Sequence, residues 1–178
     1  MDCKEKILPL KALIMDVDGV LTDGRIIFDA NGIESKQFDV RDGHALKMLS
    51  RSGVSLALLT GRYSPVVTKR AQELGIEIVF QRSYDKLKAY AQIRARLGLQ
   101  DHEVAYIGDD LVDIPVLLKV GFAATVADAV PEVAALVDWQ SSRPGGRGAV
   151  RELCALIMQT QGTWEPALAR YMKRLDGC

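Results

Sequence analysis

The stretch LKALIMDVDG, residues 10–19, decides the reading of the fold. Its apolar part, Leu10 to Val17, lacks the alternation of a half-exposed strand and breaks into polarity at Asp16, Asp18 and Gly19. Such a run is short enough for a strand covered on both faces, and it runs straight into a loop. The same grammar returns downstream. Val54 to Leu59 is apolar and ends in Thr60-Gly61-Arg62, and Val104 to Ile107 ends in Gly108-Asp109-Asp110-Leu111-Val112-Asp113. Ile76 to Phe80 is a further strand, with shorter ones near Phe122 to Val126 and Leu136 to Asp138.

Between the strands lie helical patterns at His44 to Arg51, Ser64 to Leu74 with Gly75 as its stop, and Tyr84 to Leu97 with Gly98 as its stop. A short helix over Asp110 to Leu118, interrupted by Pro115, and a helix from Ala149 to Gln159 complete the unit. This rhythm predicts an α/β fold: a Rossmann-like, mostly parallel sheet with helices on both faces. The pair Arg25 to Phe28 and Ile33 to Phe38, joined through Asp29-Ala30-Asn31-Gly32, predicts a projecting β-hairpin, with Asn31-Gly32 supplying left-handed turn conformations. Residues 1–178 read as one domain, with 25–38 as the hairpin and 141–178 as a glycine-rich segment and helical tail. Ser141 to Gly148 is the one stretch that reads as flexible.

Composition narrows the function. Lys plus Arg and Asp plus Glu are each 23, so the formal net charge is zero and no global field draws in nucleic acid or an anionic membrane. Cys3, Cys154 and Cys178 are odd in number and far apart, which disfavours a disulfide framework or a thiolate metal site and predicts a reducing compartment. The N-terminal residues lack a signal-peptide pattern, and no apolar run reaches the roughly 18 residues of a membrane span. A cytoplasmic protein is expected.

The chemistry sits at the strand ends, where ligands of parallel sheets collect. Crowded carboxylates repel one another, a divalent cation relieves that repulsion, and oxygen-only ligands favour magnesium (Mg2+). A cation held by Asp16 and Asp109 beside a bound phosphate makes aspartyl-phosphate chemistry plausible. Asp16, at the strand terminus, is the nucleophile candidate. Asp18 is placed to protonate the leaving oxygen and later to deprotonate water. Thr60 offers a hydroxyl and nearby backbone N–H groups to a transferring phosphoryl oxygen, and Lys86 a positive charge. Lys88 is the rival lysine, two residues along the same helix and therefore on another face. Arg62 and Arg41 suit a substrate phosphate or carboxylate, and Arg147, among glycines, suits a segment reaching over a neighbouring site. His44 and His102 stand too far apart in the pattern for a histidine metal site, Met48, Met158 and Met172 form no single stripe, and Cys154 reads as a small core residue.

These motifs closely resemble those of the haloacid dehalogenase-like phosphohydrolase superfamily, from about Leu10 to Ala155. The resemblance implies Asp16 as nucleophile and metal ligand, and Asp18 as acid/base whose carbonyl also meets the metal. It makes Asp109 a direct ligand, Asp110 a group acting through metal-bound water or orienting the lysine, and Asp113 a structural support. The stretches Asp16 to Gly24, Phe38 to Gly43 and Gly145 to Glu152 resemble more narrowly a capless subfamily that dephosphorylates an eight-carbon sugar acid. That likeness implies a homotetramer in which hairpins meet and neighbours cover the active sites; only about 40 residues separate Asp18 from Thr60, which leaves no room for a folded cap. Two alternatives stay open: a phosphatase for nine-carbon sugar acids, and a catalytically silent oligomerisation module. A phosphomutase lacks the cap that would reorient its intermediate.

Overall fold

The protein is described by a computed structural model over residues 2–172. The chain opens with α1 (Cys3–Ile7) and enters β1 (Ala12–Met15), whose four residues are all buried. β2 (Ile27–Phe28) and β3 (Glu34–Ser35) pair antiparallel as a separate hairpin. Then follow α2 (Val40–Arg51), β4 (Ser55–Leu59), α3 (Pro65–Leu74), β5 (Ile78–Phe80), α4 (Lys86–Leu97) and β6 (Val104–Ile107). α5 (Ile114–Leu117), β7 (Phe122–Thr125), α6 (Pro131–Ala134), β8 (Trp139–Gln140), α7 (Ala149–Thr160) and α8 (Trp164–Met172) complete the described chain.

Six strands form one sheet in the order β5-β4-β1-β6-β7-β8, every pairing parallel. The order runs outward in both directions from β1, so the β1/β6 boundary is the topological switch point of a doubly wound sheet. Alternate residues of each strand feed opposite cores. Leu13, Met15, Leu56, Leu58, Ala105 and Ile107 pack with residues of α2, α3 and α7 on one face. Ala12, Ile14, Ala57, Leu59, Val104 and Tyr106 pack with residues of α4, α5 and α6 on the other. Burial on both faces explains the uninterrupted apolar runs.

Several boundaries differ from expectation. α2 starts at Val40 rather than His44, because the Asp39 side chain accepts from Arg41 N–H and caps a first turn that carries no hydrophobic period. Asp110 to Leu118 is a 3-10 turn at Leu111–Asp113 followed by α5, with Pro115 in the first turn of α5, where its missing N–H costs nothing. The last strand lies at Trp139–Gln140, not Leu136 to Asp138. Leu136 still closes the turn after α6, and Asp138 uses its carboxylate to accept from Ala123 N–H. In the hairpin, Gly32 alone is left-handed, at φ 75°, while Asn31 is not. Asp29 accepts from the Asn31 and Ile33 N–H groups and shapes the turn instead. α1 and α6 carry no sequence signal strong enough to anticipate. The tail is helical through Met172; the rest of the expected tail helix, with Cys178, lies outside the described residues.

Candidate active site

Asp16 follows β1 directly, and its N–H donates to the Ile107 carbonyl at 3.0 Å, so the β1–β6 ladder fixes its backbone. The chain then turns tightly. The Val17 carbonyl accepts from Leu21 and Thr22, and Thr22 Oγ1 accepts from the Gly19 and Gly24 N–H groups. Gly19 sits at φ 93°, and any Cβ there would collide with the Asp109 carboxylate, so only glycine lets the two strand-end loops approach.

The glycine-rich stretch within Ser141 to Gly148, which reads as flexible in the sequence, is bonded to this turn. Gly146 N–H donates to the Val20 carbonyl at 2.9 Å, and a Cβ on Gly145 would strike the Gly19 carbonyl. Buried Asp42 in turn accepts from Gly148 and Arg151 N–H at 3.3 and 2.7 Å. Residues 39–43 and 145–152 therefore act as a strut from α2 through α7 to the loop after β1.

Lys86 begins α4 with its side chain only 3% exposed, and its Nζ lies 3.0 Å from Asp16 Oδ1 and 2.6 Å from Asp113 Oδ1. Lys88 is exposed, on another face of the helix from Lys86, as the spacing predicts. Asp113 is saturated: it accepts from Lys86, from the Tyr106 hydroxyl and from the Asp109 and Asp110 N–H groups. It therefore serves as the support that orients the lysine. Asp110, expected to share that task, is exposed and caps its own turn by accepting from Leu111 N–H at 2.7 Å.

Asp16 is pushed up to about 7, by burial first, with Lys86 opposing and Asp113 adding to the shift. Burial, then the charges of Asp16 and Asp113, push Asp109 up to about 8. Burial works against the Lys86 charge, but Asp16 and Asp113 outweigh it and hold the ammonium protonated beyond its usual range. Burial raises the Tyr106 phenol far above its usual range, helped by Asp113, so it stays a donor.

Oxygens of Asp16, Asp109 and Asp113 lie within 4.8 Å of one another. Asp16 Oδ1 and Asp109 Oδ1 are buried without a hydrogen-bond partner among the described residues, although Lys86 gives Asp16 a charge contact. Orphaned, mutually repelling carboxylate oxygens fit a hard divalent cation such as magnesium, with Asp16 and Asp109 as donors and Asp113 already spent on its own partners.

Thr60 follows β4 and is buried, its N–H donating to the Phe80 carbonyl at 2.9 Å. Arg62 turns back over the cleft. Its Nη2 donates to Glu34 at 2.9 Å and its Nε lies 3.8 Å from Asp18 Oδ2. Asp18 is also paired with Lys36, a hairpin residue that the sequence reading missed along with Glu34. A cleft of about 330 Å³ lies over Asp16, Asp18, Thr60, Arg62, Lys86 and Asp109. Arg41 and Arg147 are not in it. Both line a separate depression of about 340 Å³ with Arg143 and Arg151, and Arg41 is occupied by Asp39 at 2.7 Å, so the two do not join Arg62 over the carboxylates. His44 packs edge-on against Tyr171, and Cys154 is a buried core residue.

Fold and site together define a hydrolase of the haloacid dehalogenase-like class, and the family model "haloacid dehalogenase-like hydrolase" matches residues 36–121. The chain is 42% identical over 166 residues, 93% of its length and 88% of the relative's, to 3-deoxy-D-manno-octulosonate 8-phosphate phosphatase KdsC of Escherichia coli. It superposes on the phosphatase of that name from Yersinia pestis with a TM-score of 0.90 and 42% identity, covering 91% of this chain and 88% of that one. The Moraxella catarrhalis phosphatase, solved with magnesium ion, phosphate ion and a KDO molecule, gives 0.92 and 40% identity over 94% and 97% of the two chains. The chain belongs to the 3-deoxy-D-manno-octulosonate 8-phosphate phosphatase family of haloacid dehalogenase-like hydrolases.

Proposed function

We propose that this protein is a magnesium-dependent phosphomonoesterase that converts 3-deoxy-D-manno-octulosonate 8-phosphate to the free sugar acid and inorganic phosphate. The observation that carries this reading is the convergence of Asp16, Lys86 and Asp109 at the switch point, in a chain similar over nearly its whole length to phosphatases of that name. In the first step an Asp16 carboxylate oxygen attacks phosphorus, the ester P–O bond breaks, and Asp18 gives its proton to the departing sugar oxygen. In the second, Asp18 takes a proton from water as the water oxygen attacks phosphorus. The Asp16–phosphorus bond then breaks, returning the carboxylate and releasing phosphate.

Thr60 and the N–H groups after it hold a phosphoryl oxygen, and Lys86 keeps the attacking oxygen of Asp16 aimed while countering charge in the transition state. Asp16, Asp109 and the Asp18 carbonyl would hold the cation, which when bound neutralises phosphate charge. Asp110 would reach that cation through water. Arg62 meets the sugar acid's carboxylate, since a guanidinium fork matches its geometry. The hairpin 25–38 drives assembly into a homotetramer, where Arg41 and Arg147 serve a neighbour's cleft rather than their own. The setting is the cytoplasm and the role lies in lipopolysaccharide biosynthesis; no described helix is long and apolar enough to cross a membrane.

Phosphate release from the eight-carbon ester, with and without magnesium, beside a nine-carbon sugar acid phosphate and a generic phosphomonoester, tests the assignment. Magnesium-dependent preference for the first is expected, with loss of activity but not of assembly in Asp16→Asn. Preference for the nine-carbon ester moves the assignment to that substrate. Absence of turnover on all three rejects the phosphatase.

A further inference from the structure

The hairpin arm is largely exposed, yet its Lys36 side chain is only 1% exposed. Burying an ammonium is unfavourable unless opposite charges and hydrogen bonds offset it. Lys36 meets that condition by donating to Asp18 Oδ1 and lying 3.4 Å from Glu34 Oε1. Arg62 faces the same two acids, donating to Glu34 Oε1 at 2.9 Å and standing 3.8 Å from Asp18 Oδ2. Two cations and two anions thus close a ring between the hairpin and the loops after β1 and β4.

Among the described residues, Asp18 has no other hydrogen-bond donor on its carboxylate, in contrast to Asp113, which is held by two backbone N–H groups as well as two side chains. The loop that carries Asp18 fixes its backbone but not the direction of its carboxyl. That direction is set from the hairpin, one oxygen toward Lys36 and the other toward Arg62. We propose that Lys36 is a positioning residue of this active site, aiming the Asp18 carboxyl at the leaving-group oxygen. The inference rests on the phosphatase reading above.

The leaving group supplies the test. An alkyl phosphate needs its departing oxygen protonated, whereas p-nitrophenolate leaves without a proton, so a misaimed acid slows the first and spares the second. For Lys36→Met we expect kcat/KM for glycerol phosphate to fall about 30-fold or more while that for p-nitrophenyl phosphate changes less than about threefold. Neither ester carries a carboxylate, so loss of sugar-acid binding cannot mimic the result. Lys36→Arg is expected to restore most of the glycerol phosphate activity. Equal losses on both esters, as from general loosening of the fold, overturn the proposal, and so does no loss on either. If Lys36→Met does not fold, Lys36→Gln carries the same comparison. Wild type that releases phosphate from neither of these esters nor from the eight-carbon ester overturns the phosphatase reading and this inference together; wild type that hydrolyses both, with an unselective variant, overturns the role of Lys36 alone, and where only the eight-carbon ester turns over, an unchanged kcat/KM for it in Lys36→Met does the same.

Discussion

The strand-end cluster and the hairpin arm are built on opposite principles. Asp16, Lys86 and Asp113 are buried at the ends of elements whose backbones are locked by the sheet, and each finds an opposite charge within the chain. The hairpin leaves Ile26, Ile27, Phe28 and Ile33 between 40% and 63% exposed, held by a two-residue antiparallel pairing. Single solvent-facing hydrophobes are ordinary, but four on one small arm form a patch that a folded monomer leaves unsatisfied. The cluster answers its charges within the chain; the arm leaves its apolar side chains facing solvent, and Lys36 is the residue through which it reaches the cluster.

The contrast breaks hardest at Lys86. Lys86→Met leaves Asp16 and Asp113 buried without their cation, so turnover should fall about 100- to 1000-fold, and an unfolding midpoint should show a loss of about 3 kcal/mol. A midpoint equal to wild type would mean that the cluster does not depend on its own charge pairing. Gly19→Ala comes next. The left-handed backbone and the clash with Asp109 predict a loss of about 2 kcal/mol and a displaced metal ligand. Titration of magnesium against activity should show an apparent affinity weakened at least tenfold by that displacement.

A subtler effect follows from pH. Asp16 and Asp109 bind protons more tightly in the fold, rising from 3.8 to about 7 and about 8. Groups raised in this way contribute stability that is complete below their unfolded value and is lost as pH climbs through the folded values. The metal-free protein should therefore soften between about pH 4 and pH 8 on their account. A cation competes with those same protons, so magnesium should raise the melting temperature more at about pH 8 than at about pH 5.5. Equal shifts at both would place the ion elsewhere.

Much of the cluster was legible because its acids sit beside the strands that position them. A buried apolar run ending in Asp16, Thr60 or Asp109 announces both a strand and what lies beyond it. Helix phase put Lys86 and Lys88 on different faces, and the order of the family motifs singled out Lys86. The Lys36–Asp18 pair was not legible, because Ser35 to Gln37 reads as an ordinary polar strand end and only the bend of the hairpin brings it over the cleft. Asp42 stood out in the sequence only as part of the Phe38 to Gly43 stretch, and its tie was not legible, since its bonds to Gly148 and Arg151 join segments far apart in the chain. Arg41 and Arg147 share a depression away from the carboxylates for the same reason: type and flanking residues say nothing of which face a side chain occupies.

The smallest expected effect on the chemistry lies at the arm's apolar tip. On the proposed homotetramer, Phe28→Asp with Ile33→Asp should give smaller species than wild type in size-exclusion chromatography. The magnesium-dependent shift in melting temperature should stay within about 2 °C of wild type, because the ligand cluster lies wholly within one chain. Loss of that shift would show that the cluster itself needs the neighbour.

The central claim, that Asp16 carries the phosphoryl group, is tested most directly by trapping it. Acid-quenching the enzyme during turnover and reducing with tritiated borohydride converts an aspartyl phosphate to homoserine, which peptide sequencing locates. The account predicts substrate-dependent label at residue 16 and none in Asp16→Asn. Label at Asp18 or Asp109, or reproducible absence of label in enzyme that accumulates the intermediate, would contradict it.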